Sequence, residues 1–139
     1  MQVVDQVIQT LRNIAQTEVM PRFLRVESTR KSDGTLFTEA DLATQQALAR
    51  RLPEILPYPV LGEEMTPEEQ HALWDANPDG LWVVDPIDGT TNFIHGLPYF
   101  AISVALMRQG RSELGVIYNP VSNEMFYARR GSGAYMNGI

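Results

Sequence analysis

The chain has 139 residues, of which 44% are hydrophobic, and this length is sufficient for one domain with a hydrophobic core. Its 17 acidic and 11 basic residues give a net charge of −6, which argues against a broad nucleic-acid-binding surface. The absence of cysteine excludes a disulfide framework, a thiolate metal site and a cysteine nucleophile. The sequence contains no apolar run of membrane-spanning length and no signal-peptide pattern at its amino terminus, so we expect a cytoplasmic location.

Apolar residues at helical spacing predict a first helix from Val3 to Met20, which kinks or ends near Pro21. The polar segment Arg30–Thr35 is expected to form a loop. Thr38 then predicts the cap of a second helix, with Asp41 at the acidic position of a capping box. On local pattern alone, Thr38 and Asp41 have no other role.

The second helix is expected to bury one apolar face and to end or bend at Pro53. That face is predicted to contain Leu42, Ala49, Leu52 and Leu56. A short strand, Tyr58–Gly62, is predicted to place Glu63 at its end, and Thr66 followed by Pro67 predicts the start of a third helix.

The stretch from Trp82 to Pro98 contains the strongest chemical pattern in the chain. Its apolar start predicts a buried strand that ends at Asp85, because Pro86 cannot donate to a sheet ladder. Asp88-Gly89 is a turn signal, and Thr90 is predicted to begin a short helix. Two carboxylates, a kinked backbone and a helix N-terminus are therefore expected within a few residues.

This arrangement is typical of a metal and phosphate site. Asp85 and Asp88 can direct their carboxylates, together with the Ile87 carbonyl, at one point, and hard oxygen ligands suit Mg²⁺ better than zinc. The two carboxylates repel each other unless a cation lies between them, and a helix N-terminus suits a phosphate. For the bare Asp-x-x-Asp-Gly pattern, an ordinary capped turn and surface loop explain the residues equally well.

Three strands are predicted after this stretch, over residues 100–107, 113–118 and 124–128, and the short breaks between them imply antiparallel hairpins. We therefore expect an α+β fold, with helices packed on a largely antiparallel sheet.

The strings Asp-Pro-Ile-Asp-Gly-Thr-Thr-Asn-Phe (85–93) and His-Gly-Leu-Pro (95–98) closely resemble the signature of the inositol monophosphatase family, within the Mg-dependent, lithium-sensitive sugar phosphatase superfamily. Leu-Gly-Glu-Glu (61–64) and Thr-Glu-Ala-Asp (38–41) resemble two further motifs of that family. The resemblance extends over residues 1–139 and implies the N-terminal half of a layered α/β/α/β/α fold. It also implies a homodimer.

The resemblance assigns roles to residues of these motifs. It implies that Glu63, Asp85 and the Ile87 carbonyl hold one Mg²⁺, and that Asp85 and Asp88 share a second. It further implies that Thr90, oriented by Asp41, acts with Glu63 to position a water and take its proton.

The phosphate is expected to bind the Gly89 and Thr90 N–H groups, beside Asp88. Lys31 matches a lysine that helps to neutralise the metal and phosphate centre in the family. The implied reaction is hydrolysis of a phosphate monoester, with inositol monophosphate as substrate. Family members are about twice this length, and their second half supplies another metal-ligating aspartate and most contacts to the substrate alcohol. We therefore expect this chain alone to bind Mg²⁺ weakly and to turn over slowly.

Two alternatives stay open at this point. One is a related phosphatase that acts on histidinol phosphate, fructose bisphosphate or a 3′-phosphonucleotide. The other is a non-catalytic interaction protein on the same fold. The acidic residues of the motif argue against the second alternative, because a scaffold has no physical need for a cluster of repelling carboxylates.

Overall fold

The computed structural model describes residues 2–25, 28–30 and 36–139. Within these ranges the α-helices are α1 (Gln2–Ile14), α2 (Glu39–Ile55), α3 (Pro67–Ala76) and α4 (Thr90–Ile94). The strands are β1 (Ser28–Arg30), β2 (Leu36–Thr38), β3 (Val60–Gly62), β4 (Leu81–Asp88), β5 (Ala101–Arg108), β6 (Arg111–Asn119), β7 (Glu124–Arg129) and β8 (Ala134–Met136). No helix in the described part of the chain is both long enough and apolar enough to cross a membrane.

Helix α1 buries a stripe of apolar side chains that recur every three or four residues: Val4, Val7, Leu11 and Ile14. The helical path continues as one π-helical segment, Ala15–Val19, and a 3₁₀ turn, Met20–Arg22. Pro21 lies in that final turn, where a missing N–H costs least. The predicted extent of the first helix and its end near Pro21 are confirmed.

Helix α2 begins with a capping box. The Thr38 hydroxyl accepts from the Asp41 N–H at 3.2 Å, and the Asp41 carboxylate accepts from the Thr38 N–H at 2.9 Å. These bonds satisfy donors that have no partner inside the helix. The helix passes through Pro53 and ends two residues later, at Ile55. The predicted cap is confirmed.

The predicted buried face of α2 is wrong for two of its four residues. Leu42 is 43% exposed and Ala49 is also exposed, whereas Leu52 is fully buried and Leu56 is half-buried. The buried face instead contains Ala40, Asp41, Thr44, Ala47, Leu48 and Leu52. Its first turns are small or polar, so a pattern of large apolar residues does not identify it.

The main sheet has six strands in the order β3-β4-β5-β6-β7-β8. Strands β4 to β8 pair antiparallel, while β3 and β4 pair parallel because the chain crosses over through α3 between them. This confirms the predicted α+β fold with a largely antiparallel sheet. Strand β8 was not predicted. Arg30, predicted to be in a loop, ends strand β1 of a separate two-stranded sheet, and residues 31–35 lie outside the described ranges.

The prediction that the central strand stops at Asp85 is wrong, because β4 continues to Asp88. Asp85 pairs with Ser103 of β5, but the next pair is Asp88 with Ala101, so β4 contains one extra residue between these pairs. Such a β-bulge leaves a residue unpaired, which is where a strand tolerates a proline. Pro86 is therefore accommodated without ending the strand.

Helices α1 and α2 cover one face of the sheet and, with Phe93 of α4, form the core with it. From the sheet, this core takes alternate residues such as Trp82, Val84, Ile102 and Val104, each at most 4% exposed. The opposite face is largely apolar and open, with Ile117 46% exposed and Phe126 42% exposed. A cavity of about 520 Å³ lies on this open face.

Leu48→Ala should destabilise the chain by about 2–5 kcal/mol, because it leaves a cavity at a fully buried position of α2. The matched change Leu42→Ala, on the same helix but at an exposed position, should change stability by no more than about 0.5 kcal/mol. Urea denaturation of both variants measures the difference. Equal losses would contradict the assignment of the buried face.

Candidate active site

The β-bulge in β4 brings two acidic side chains to the same face of the sheet. In a regular strand, residues three positions apart project from opposite faces. Ser103 and Ala101 are two positions apart on β5 and share a face, so their partners Asp85 and Asp88 share it too. The single extra residue between the pairs therefore places both carboxylates side by side at the end of β4.

A third carboxylate comes from the neighbouring strand. Strand β3 runs parallel to β4, with Gly62 opposite Val84, so Glu63 follows directly beside Asp85. The Glu63 side chain comes close enough to Asp85 to raise the pKa of that carboxyl, through hydrogen bonding and through its charge.

The start of α2 provides the fourth acidic group. Asp41 is fully buried, and its two oxygens have different partners. Oδ2 accepts from the N–H of Thr38 at 2.9 Å and from its hydroxyl at 2.6 Å. Oδ1 accepts from the Thr90 hydroxyl at 2.9 Å, across 49 positions of sequence. The structure thus contains the Asp41–Thr90 hydrogen bond that the family resemblance implies.

The Thr90 hydroxyl lies 3.0 Å from the carbonyl oxygen of Ile87 as well as close to Asp41. A hydroxyl has one hydrogen to donate, and the charged carboxylate is the stronger acceptor. The Ile87 side chain is buried in the core, so its backbone is fixed while its carbonyl faces Thr90. A carbonyl oxygen has two lone pairs, and one remains available to a cation.

Gly89 connects the bulged strand to α4 and adopts φ +93°, which residues with a side chain rarely take. A Cβ at this position would lie 2.9 Å from the Tyr99 carbonyl oxygen. The Asn92 side-chain amide donates to that same carbonyl at 2.8 Å and holds it against the glycine. Below, Phe93 packs edge-to-face on Phe100 with ring centres 5.0 Å apart. The residues that follow Asp88 therefore have little freedom to move.

Burial and the surrounding carboxylates raise the pKa of Asp85 to about 8 from an ordinary value of 3.8. Burial contributes most, followed by the hydrogen bond and the charge of Glu63, and then by the charges of Asp88 and Asp41. One oxygen of Asp85, Oδ1, is buried and has no hydrogen-bond partner among the described residues. A buried acceptor of this kind, among three other acidic groups, is a suitable ligand for a cation.

The donor set fits a hard divalent cation, because it consists of carboxylate and carbonyl oxygens. Within the described ranges, no group of three or more acidic or histidine side chains lies in an arrangement that could hold a metal ion as it stands, so Glu63, Asp85 and Asp88 would have to adjust to bind one. Lys31, the remaining residue predicted near the centre, lies outside the described ranges.

A cavity of about 440 Å³ is lined by Asp88, one of the four acidic residues of the site, and by residues including Gly89, Tyr99, Asn119 and Glu124. The larger cavity on the open sheet face contains no acidic residue, so we place the site at the smaller one. Asn92 belongs to the motif string but received no role from the sequence. Its role is visible only in the structure, where its side-chain amide donates to the Tyr99 carbonyl.

Removal of metal should make stability depend on pH through Asp85. Its pKa is higher in the folded than in the unfolded chain, so its contribution to stability is complete below pH 3.8 and is lost as the pH rises through about 8. We expect the free energy of unfolding, measured in chelator from pH 5 to 8.5, to fall by less than about 1.4 kcal/mol per pH unit, the limit for one proton. Asp85 is partly exposed, which keeps the slope below that limit.

Asp85→Asn should remove this dependence and make the metal-free chain more stable than the wild type at pH 8, because an amide does not ionise. Asp75→Asn, at an exposed position of α3, serves as the control and should leave the slope unchanged. A wild-type slope that persists in Asp85→Asn would show that another group is responsible.

Gly89→Ala should be more destabilising than the same change at Gly110. Both glycines have positive φ, but no atom of the described residues lies within 4 Å of a Cβ at Gly110, whereas Gly89 faces the Tyr99 carbonyl. We expect a loss of about 1–2 kcal/mol for Gly110→Ala from backbone strain alone. For Gly89→Ala, where strain and overlap combine, we expect about 3 kcal/mol. Equal losses in urea denaturation would indicate that the Tyr99 segment moves away freely.

Comparison with known proteins agrees with this geometry. The sequence model of the inositol monophosphatase family matches residues 1–139. An inositol-1-monophosphatase of Mesorhizobium japonicum is 41% identical over 107 residues, which are 77% of this chain and 39% of that protein. Nus factor SuhB of Pasteurella multocida is 40% identical over 112 residues, 81% of this chain and 40% of that protein.

Solved structures show the same fold. The Thermotoga maritima IMPase superposes with a TM-score of 0.86 at 37% identity, over 100% of this chain and 52% of that one. An IMPase/NADP phosphatase complexed with Mg²⁺ and phosphate gives a TM-score of 0.79 at 25% identity, over 99% of this chain and 50% of that one. The chain thus spans about half the length of these relatives, or less. From its sequence, its fold and its arrangement of carboxylates, the chain belongs to the inositol monophosphatase family.

Proposed function

We propose that this chain supplies the acidic half of the active site of a Mg²⁺-dependent phosphatase that hydrolyses a phosphate monoester, with inositol monophosphate as the substrate. The observation that carries the proposal is the meeting of Glu63, Asp85 and Asp88 beside the Asp41–Thr90 hydrogen bond. The proposal is supported by the relative named an inositol-1-monophosphatase and by the solved relative that contains Mg²⁺ and phosphate.

Glu63, Asp85, Asp88 and the Ile87 carbonyl would hold the metal. When bound, Mg²⁺ acidifies the attacking water and stabilises the leaving alkoxide. The carboxylates of these residues supply the negative charge that attracts the ion, and a cation beside Asp85 favours its ionised form at neutral pH. In the metal-free protein, the raised pKa of Asp85, about 8, keeps this carboxyl largely protonated at neutral pH.

Thr90 and Asp41 would orient the nucleophile. Because the Thr90 hydroxyl donates its hydrogen to Asp41, the lone pairs of its oxygen are free to accept from a water. Asp41 is fully buried and fixed by Thr38, so the direction of this hydroxyl is set before substrate binds. Glu63, from the neighbouring strand, would share the proton that the water releases.

The phosphate would bind at the start of α4, where the Gly89 and Thr90 N–H groups lie beside Asp88. The first N–H groups of a helix have no acceptor within it and can donate to phosphate oxygens. In the reaction, the oxygen of the water bonds to phosphorus, the ester P–O bond breaks and the alcohol oxygen takes a proton. Donors fixed at this position stabilise the charge that develops on the phosphate oxygens.

A second function deserves a direct test because one relative is named a Nus factor. In this alternative the chain keeps the fold and binds a macromolecular partner, and its carboxylates take no part. The related phosphatase activities, on histidinol phosphate, fructose bisphosphate or a 3′-phosphonucleotide, differ from the proposal only in the alcohol that is released.

The test is phosphate release from myo-inositol 1-phosphate with Mg²⁺, with chelator, and with Asp88→Asn. Asp88→Asn should reduce the rate by about 100-fold or more, because it removes one charged metal ligand while keeping the size of the side chain. Asp75→Asn, an exposed change of the same kind, should keep the wild-type rate.

The 15.6 kDa chain alone is expected to act slowly, so these rates are compared with a no-protein blank. Release that is insensitive to chelator or to Asp88→Asn would contradict the proposal. If the wild type releases no phosphate from this or the related esters, the assay is repeated on a protein that also contains the second half found in the longer relatives, and absence of release there favours the interaction function.

A further inference from the structure

Glu63 lies at a weakly supported point of the sheet. Strand β3 has only three residues and stands at the edge, so β4 is the one strand that pairs with it among the described strands. The Glu63 residue is exposed, and its side chain has three rotatable bonds. Repulsion from the neighbouring carboxylates also favours a position that points away into water. The approach of Glu63 to Asp85 therefore requires that something else holds its backbone.

Gln45, on the buried side of α2, provides one such support. Its Oε1 accepts from the Glu64 N–H at 3.1 Å, across 19 positions of sequence. The same side chain occupies the space that a side chain at position 62 would need, because a Cβ on Gly62 would overlap the Gln45 Cδ. Gly62 is buried under this amide. Gln45 thus fixes the residues immediately before and after Glu63.

Gln70, on α3, provides a second support from a different helix. Its Nε2 donates to the Gly62 carbonyl at 2.9 Å and lies 3.5 Å from the Glu63 carbonyl. Helix α3 is itself fixed at its start by a capping box between Thr66 and Glu69, with bonds of 3.2 Å in both directions. The backbone on either side of Glu63 is therefore held by one acceptor and one donor from two helices.

We infer that Gln45 and Gln70 are positioning residues that hold Gly62–Glu64 so that the Glu63 carboxylate faces Asp85 and can share a divalent cation with it. The inference rests on the proposed function, because it takes Glu63 as a ligand of Mg²⁺. In this inference, neither glutamine coordinates the cation itself. Their effect is to keep Glu63 in place, which lowers the cost of ordering this carboxylate when the ion binds.

The experiment measures thermal unfolding of the chain at increasing Mg²⁺ and takes the concentration of half-maximal stabilisation for each variant. Gln45→Leu, which removes the acceptor and keeps the approximate size, should raise this concentration about tenfold, as loss of a residue that orients a metal ligand typically does. Gln45→Glu keeps an acceptor for the Glu64 N–H and should restore a value close to the wild type. Gln70→Leu, which loses the donor without adding a charge, should behave like Gln45→Leu.

Gln46→Leu is the matched control, because Gln46 is the next residue of α2 and is exposed. It should keep the wild-type Mg²⁺ concentration. A purely structural role for Gln45 would lower the melting temperature in chelator and leave the half-maximal Mg²⁺ concentration equal to that of Gln46→Leu, which would overturn the inference. Failure of Gln45→Glu to restore Mg²⁺ binding would overturn it as well. If the wild type itself shows no stabilisation by Mg²⁺, the proposed function fails first, and the inference about the cation fails with it.

Discussion

The mutual repulsion of four acidic groups is the constraint around which this structure is arranged. Asp41, Glu63, Asp85 and Asp88 come from three separate segments of the chain and meet at one end of β4. A folded chain gains nothing from such a meeting in the absence of a cation, since burial and like charges both disfavour ionised carboxylates. The rest of the fold has to supply the stability that holds them there, and the core beneath the sheet does so through side chains such as Trp82 and Phe93.

Three different devices hold the four acidic groups. The bulge at Pro86 turns Asp85 and Asp88 to the same face, and the capping box of α2 buries Asp41 while leaving one of its oxygens for Thr90. Glu63 follows a short edge strand, and the position of its backbone depends on the side chains of Gln45 and Gln70.

The two faces of the sheet have different roles. The helices cover one face and form the core, while the other carries the acidic pair at one end and exposes apolar residues along the rest. An open apolar face of this kind is typical of a surface that packs against further protein. The solved relatives are about twice as long as this chain, and the cavity beside Asp88 continues onto this same open face.

The sequence by itself determined the helices with clear caps, the antiparallel hairpins and the identity of the acidic residues. Each of these depends on residues that lie close together in the sequence. It also indicated that Asp41 faces Thr90, through the family resemblance. It failed where the answer depends on contacts between distant segments. The prediction that Pro86 ends the strand is wrong because the bulge is visible only in the register against β5. The prediction that Leu42 is buried is wrong because only the packing of α2 on β4 shows that Asp41 and Thr44 take the inner face. The tertiary structure alone decided that Gln45 and Gln70 hold the backbone around Glu63, because their hydrogen bonds join segments that no local pattern relates.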